Sequence, residues 1–185
     1  GIPEGPYAAT SFDSVMHTTF RQFVDELRRN RRLPFSEVQA IFEREWTSAG
    51  FEDSYQEAEY RTDGIEQLRA LHATLSADPP EVLAQEKYFE LPMDRNVVIT
   101  GRMDQVNRVS PGEEEIVDYK TGKPRNERQA RKDLQLSLYA LAAREVLELN
   151  PGRLVFYNLQ TNEPTITTRD EKQLEEARAA VQEAA

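Results

Sequence analysis

The chain contains no cysteine. Disulfides, iron–sulfur clusters and cysteine-ligated zinc are therefore excluded, and the composition suits a reducing compartment. No long apolar run is present, so nothing in the sequence reads as a membrane span. The opening stretch Gly1–Pro6 lacks the basic start and apolar segment of a secretory leader, and no initiator methionine precedes it. The expectation is a cut boundary rather than a targeting signal. There is no Gly-x-x-x-x-Gly-Lys loop, so the chain is not itself a nucleotide-driven motor. Repeats and low-complexity tracts are also missing. What is present is 185 residues with 38% hydrophobic and 30% charged residues, and with 10 Pro and 8 Gly spread along the chain. This is the composition of one folded domain of ordinary size.

The net charge of −10 argues against a general nucleic-acid coat protein. The average conceals two basic islands. Residues 21–32 carry five arginines, among them Arg28 and Arg32, against Asp25 and Glu26, a net of +3. Residues 120–132 carry Lys120, Lys123, Arg125, Arg128, Arg131 and Lys132 against Glu127, a net of +5. Each island reads either as a solvated helix face or as a localised phosphate-binding face.

The first half reads as helical, over about 10–77. Thr10 or Ser11 is placed to cap a first helix running to about Asn30, with Val15, Phe20, Phe23, Val24 and Leu27 on one face. A second helix is expected from Ser36, burying Val38, Ile41, Phe42 and Trp46 and stopping at Gly50. A third spans about Tyr55–Ser76, weakened at its middle by Gly64. A sheet-containing part is expected over about 81–168, with strands at Val82–Leu91, Asn96–Val109, Glu114–Lys120 and Arg153–Gln160. One long helix is expected over 127–149, with Leu134, Leu138, Leu141 and Leu149 as its stripe, and a last helix over about 170–184. The order predicts a mixed α/β domain around a central sheet.

The residues that bear chemistry flank the turn Ser110-Pro111-Gly112. Asp104 lies seven residues before Pro111, and Asp118 lies seven after it. A hairpin centred there sets the two aspartates opposite each other, with Cβ atoms about 5 Å apart. Side chains alternate along a strand, so Lys120 shares a face with Asp118. Two carboxylates that close need neutralising, by Lys120 alone or by a divalent cation. Carboxylate-oxygen sites with few protein ligands suit Mg²⁺ or Mn²⁺. Ile116 and Val117 lead into Asp118, which points to a partly buried strand, where charges without a function are unusual.

These residues resemble the PD-(D/E)XK nuclease superfamily, and within it the RecB-type domains carried by recombination and repair helicases. The similarity lies in five elements in order: Phe12 to His17, Glu86 with Phe89, Gly101 to Asp104, Val117 to Gly122, and Gln135 with Tyr139. The resemblance implies a restriction-endonuclease-like core spanning the whole chain, 1–185, as a single domain. It implies that Asp104 and Asp118 are catalytic metal ligands, that Lys120 is the catalytic lysine, and that the Tyr119 carbonyl and His17 complete the metal shell. By its apolar neighbours alone, His17 reads as a core histidine, and His72 reads as structural. Glu86, Arg102, Gln135 and Tyr139 stand around the centre or contact substrate. Lys123, Arg125, Arg128, Arg131 and Lys132 follow the lysine directly, where a DNA backbone would lie. Asp13 departs from the pattern, standing where the family usually has glycine.

The expected activity is hydrolysis of DNA phosphodiesters with Mg²⁺ or Mn²⁺ and no iron–sulfur cluster. The resemblance adds single-stranded DNA as substrate, a helicase motor as partner with this chain as the C-terminal module of a helicase–nuclease, a role in repair and recombination, and a bacterial cytoplasmic location. Exonuclease and endonuclease action both remain open. The competing expectation is a degenerate nuclease fold that only binds DNA or protein, though such domains usually lose an Asp or the Lys, and all are retained here.

Overall fold

The computed structural model describes residues 4–94 and 96–184, with side chains from residue 7 onward. The first three residues of the opening stretch lie outside the described residues. The chain divides into two compact units. One comprises Gly1–Pro79, Lys120–Pro124 and Asn158–Glu163, and the other comprises Pro80–Tyr119, Arg125–Tyr157 and Pro164–Ala185.

The first unit is built on three helices, α1 (Glu4–Arg28), α2 (Phe35–Glu45) and α3 (Ser54–Ala77). Apolar residues at helical spacing bury Phe12, Met16, Phe20, Phe23, Val38, Phe42, Leu68 and Leu71. The first helix begins well before the expected cap at Thr10 or Ser11. The Ser11 hydroxyl instead donates to the Ala49 carbonyl at 2.7 Å. The second helix ends before Trp46, which turns out in an extended conformation and donates from Nε1 to Glu57 at 3.0 Å. Gly64 is more than a weak point in α3. A Cβ there would meet the Phe12 ring at 2.9 Å and the Phe42 ring at 3.0 Å, so its absence is what lets the aromatic side chains of α1 and α2 seat against α3. His72 is structural as expected: Nε2 lies 2.7 Å from the Leu33 carbonyl oxygen, and the ring packs on Phe23 and Phe35.

The sheet strands are β1 (Glu81–Pro92), β2 (Val98–Ser110), β3 (Glu113–Lys120), β4 (Pro151–Asn158) and β5 (Glu163–Thr167), in the spatial order β1-β2-β3-β4-β5. The first two pairs are antiparallel. At one end of β3 the Glu114 N–H donates to the Asn150 carbonyl, and at the other the Leu159 N–H donates to the Lys120 carbonyl. Both strands therefore run the same way, and the sheet is mixed. The helices α4 (Glu127–Lys132) and α5 (Leu134–Glu145) make the crossover, and α6 (Glu171–Ala184) closes the chain.

Two further features differ from expectation. The long helix of 127–149 is two helices broken at Asp133, which has extended backbone angles and caps α5 by accepting from the Leu136 N–H at 2.9 Å. The buried face consequently takes in Leu136, Tyr139, Ala140 and Ala143 beside the expected Leu141, while Leu134 is 44% exposed. The fifth strand has no counterpart among the expected ones. It is short and carries Pro164, which a sheet tolerates at its edge. Among the described residues no helix is long and apolar enough to cross a membrane.

Candidate active site

The β2–β3 ladder pairs Gln105 with Val117, Val106 with Ile116, Asn107 with Glu115 and Arg108 with Glu114. These pairs mirror about Pro111, and one further step sets Asp104 opposite Asp118. On the other side of β2, Gln85 pairs with Gln105 and Lys87 with Met103, which sets Glu86 level with Asp104. Three neighbouring strands thus place three carboxylates in one row. Glu86 has φ +49, a left-handed backbone conformation that a non-glycine residue adopts only when its surroundings impose it.

Asp118 is 5% exposed, and its Oδ2 is sealed from solvent. Asp104 is half-buried, and its Oδ2 accepts the Tyr119 N–H at 2.8 Å. That bond continues the hairpin by one side-chain link. The Tyr119 side chain is buried. Its hydroxyl donates to Gln105 Oε1 at 2.9 Å, and Gln105 Nε2 donates to Asn107 at 2.9 Å. Asn107 donates to Glu115, whose other oxygen accepts from Arg153 at 2.7 Å. This buried polar chain ties β2, β3 and β4 together. Its sequence signal is Gln105 and Asn107 at alternating positions within an apolar strand, a signal that the motif reading passes over.

Tyr139 on α5 reaches over the row. Its hydroxyl donates to the Arg102 carbonyl at 2.8 Å, and its ring stands edge-on to Phe89. Its phenol is held far above the ordinary tyrosine range, first by burial and then by the negative charges of Asp118 and Asp104. The phenol of Tyr119 is pushed up likewise, by burial first and by Tyr157 and Asp104 after it. The carboxylates therefore project an appreciable negative field into a buried region. Gln135, one turn before Tyr139, is exposed. Arg102 is exposed as well and lies over the Tyr88 ring at 5.6 Å. Arg128, Arg131 and Lys132 are exposed together on α4, while Arg125 is half-buried and its carbonyl accepts from the Thr165 hydroxyl.

Lys120 is the last residue of β3, two beyond Asp118. It belongs to the first unit, as do His17, Asp13, Thr121 and the exposed Lys123. The His17 side chain is 21% exposed, and its Nε2 lies 3.3 Å from Asp13 Oδ1. The same oxygen accepts from the Thr121 hydroxyl at 2.6 Å. Burial pushes the Asp13 carboxyl up, but the bonds from His17 and Thr121 and the charges of His17 and Lys120 outweigh it, so the group rests below its ordinary value.

Among the described residues no three His, Asp or Glu side chains form a ready-made metal cage. The register brings together two side chains with hard carboxylate oxygens, Asp104 and Asp118. That set fits Mg²⁺ or Mn²⁺, because Mg²⁺ usually keeps several waters and takes only one or two carboxylates from the protein.

Several comparisons bear on this arrangement. A stretch of 113 residues is 27% identical to a subunit of an ATP-dependent helicase/deoxyribonuclease from Streptococcus uberis, covering 58% of this chain and 10% of that protein. The chain thus spans about a tenth of the curated relative it matches. The crystal structure of a candidate exonuclease from Eubacterium rectale superposes with a TM-score of 0.51 at 16% identity, over 98% of this chain and 66% of the other. At that identity the likeness concerns the fold alone. The sequence model of the PD-(D/E)XK nuclease superfamily matches residues 1–185, from the first helix to the last, so the chain belongs to that superfamily.

Proposed function

We propose that this chain is a divalent-metal-dependent DNA nuclease domain, acting on single-stranded DNA and working as one 185-residue module. The observation that carries the reading is the register that sets Asp104 against Asp118, with Lys120 two residues further along β3.

In this reading Asp104, Asp118 and the Tyr119 carbonyl would hold Mg²⁺ or Mn²⁺, with His17 as a further ligand. Such an ion polarises a phosphoryl oxygen and makes a water nucleophilic near neutral pH. The Lys120 ammonium orients the attacking water and stabilises the charge that gathers on the phosphorus oxygens at the transition state. Water adds in line, and the bond to the 3′ oxygen breaks, which leaves 5′-phosphate and 3′-hydroxyl ends. Glu86, whose strained backbone sets it level with Asp104, supports the ligand row. Tyr139 closes the row from above and holds the β2 backbone through the Arg102 carbonyl. Arg102, Gln135, Lys123, Arg125, Arg128, Arg131 and Lys132 contact the substrate backbone. The helicase/deoxyribonuclease relative supports a place beside a helicase motor; a role in DNA repair and recombination in the bacterial cytoplasm is part of the same proposal.

The test is cleavage of end-labelled single-stranded and duplex DNA with Mn²⁺, Mg²⁺ or EDTA. Asp118→Ala and Lys120→Ala are assayed alongside. The expected outcome is metal-dependent cutting that falls at least 100-fold in both variants, with the single strand cut faster. Absence of cutting, together with a melting temperature that Mn²⁺ does not move, would favour a degenerate nuclease fold that only binds.

A further inference from the structure

We infer that Tyr88, backed by Arg102, stacks a nucleobase of the substrate strand beside the carboxylate row, and so makes the site select single-stranded over duplex DNA. The inference deepens the reading given above and rests on it for DNA as the substrate.

The placement follows from the β1–β2 ladder, in which Tyr88 pairs with Arg102. Side chains alternate along a strand, so Arg102 shares a face with Asp104, two residues and about 7 Å further along β2. Tyr88 stands opposite Arg102 and so lies on that face too, one step from the pair Asp104 and Asp118. The Arg102 guanidinium sits over the Tyr88 ring, 5.6 Å from its centre. The Arg102 carbonyl is held by the Tyr139 hydroxyl, which fixes the backbone under the platform. The strand β1 is an outer strand of the sheet, and the Tyr88 side chain is left 46% exposed at that edge.

A packing role explains Tyr88 poorly. Its strand neighbours Phe89 and Leu91 enter the core, while its own ring stays in solvent. Its hydroxyl donates to Glu90 at 2.9 Å, an exposed bond within one strand that ties β1 to no other element. A single exposed aromatic residue is ordinary. An aromatic ring with a guanidinium over it, one step from the candidate metal ligands, is a stacking platform. Every base offers it a π face, whatever the sequence, and the arginine adds a cation–π contribution. Bases inside a duplex are already stacked on their neighbours, so a single strand offers one at far lower cost.

The experiment is fluorescence anisotropy on the full chain in EDTA, which prevents metal-dependent cutting. The probes are a single-stranded oligonucleotide, its duplex, and an abasic strand of equal length. The variants are Tyr88→Ala, Tyr88→Phe and Tyr88→Trp. Tyr88→Ala is expected to weaken single-strand binding by about 5- to 150-fold and to leave the duplex and the abasic strand unaffected. Phe and Trp keep a π face and should bind the single strand as the unaltered chain does. Tyr88→Leu keeps the bulk without the π face and repeats the test if the alanine variant folds poorly. Equal losses on the single and abasic strands would overturn the inference, and so would a loss in Tyr88→Phe as large as in Tyr88→Ala. Cleavage by the unaltered chain with Mn²⁺ keeps the two readings apart. Metal-dependent cutting with undiminished single-strand affinity in both Tyr88→Ala and Tyr88→Leu overturns this inference alone. Base-dependent binding through Tyr88 without cutting upholds the stacking and removes the nuclease. A chain that neither cuts nor binds a single strand overturns both.

Discussion

At the scale of single residues, the motif positions divide into those that carry charge and those that hold the charge in place. Gly101 belongs to the second kind. A Cβ there would meet the Phe89 ring at 2.8 Å across the β1–β2 pair, and Phe89 in turn meets Tyr139 edge-on. The glycine, the phenylalanine and the tyrosine thus form one stack, and its last member bonds the backbone between Gly101 and Asp104. Gly101→Ala is expected to destabilise the protein by about 1–3 kcal/mol through overpacking, measured by urea unfolding. Adding Phe89→Leu should recover part of the loss, whereas a purely conformational role for the glycine would show no recovery. Each of these residues stands out in the sequence as a motif letter. The reason for each does not, because it depends on which ring lies across the strand pair.

At the scale of elements, the β2–β3 hairpin is legible in the sequence and the helix after it is not. The Pro-Gly turn specifies a hairpin locally, and the pairs from Gln105–Val117 to Arg108–Glu114 mirror about Pro111 as the spacing requires. The periodicity of 127–149 runs through Asp133 without a visible stop. The break is held from a distance by Arg169, which donates to the Ala130 carbonyl at 2.7 Å, the Asp133 carbonyl at 3.0 Å and the Ser137 hydroxyl at 2.7 Å. Each carbonyl also accepts a backbone N–H, from Asp133 to Ala130 at 3.4 Å and from Ser137 to Asp133 at 3.3 Å, so Arg169 adds a second bond to each. Arg169→Leu should cost about 1.5–3 kcal/mol by removing these hydrogen bonds from a charged donor, read from thermal melting. The short strand β5 escapes the sequence for a related reason. Five residues with a proline carry no period of their own, and only the neighbouring β4 makes them a strand.

At the scale of the whole molecule, a chain of net charge −10 has to meet a polyanion through a local patch. Arg128, Arg131 and Lys132 are exposed side by side on α4. Each phosphate contact with a single strand contributes about 0.7 to the slope of log affinity against log salt. Replacing these three residues with glutamine, in an Asp118→Ala background that prevents cutting, should lower the magnitude of that slope by about 2. The change should be equal for oligonucleotides of different sequence, since phosphate contacts carry no base information. Fluorescence anisotropy across a salt series checks both statements, and an unchanged slope would remove α4 from the DNA-binding face.

The amino-acid sequence by itself determined the fold class, the order of the elements up to β4 apart from the break between α4 and α5, and the opposition of Asp104 and Asp118. All three follow from periodicity and turn chemistry, which are local. It also carried the superfamily motif, because several short segments kept their order. Only the tertiary structure decided that Glu86 stands level with the two aspartates on a strained backbone, and that Tyr139 lies buried above them while Gln135 stays exposed. It alone joined Thr121 to Asp13 beside His17 and let Arg169 hold the break between α4 and α5. The hydrogen bonds among those contacts join residues 32 to 108 positions apart. No period or spacing encodes such a meeting; it exists only once the packed core has brought the segments together.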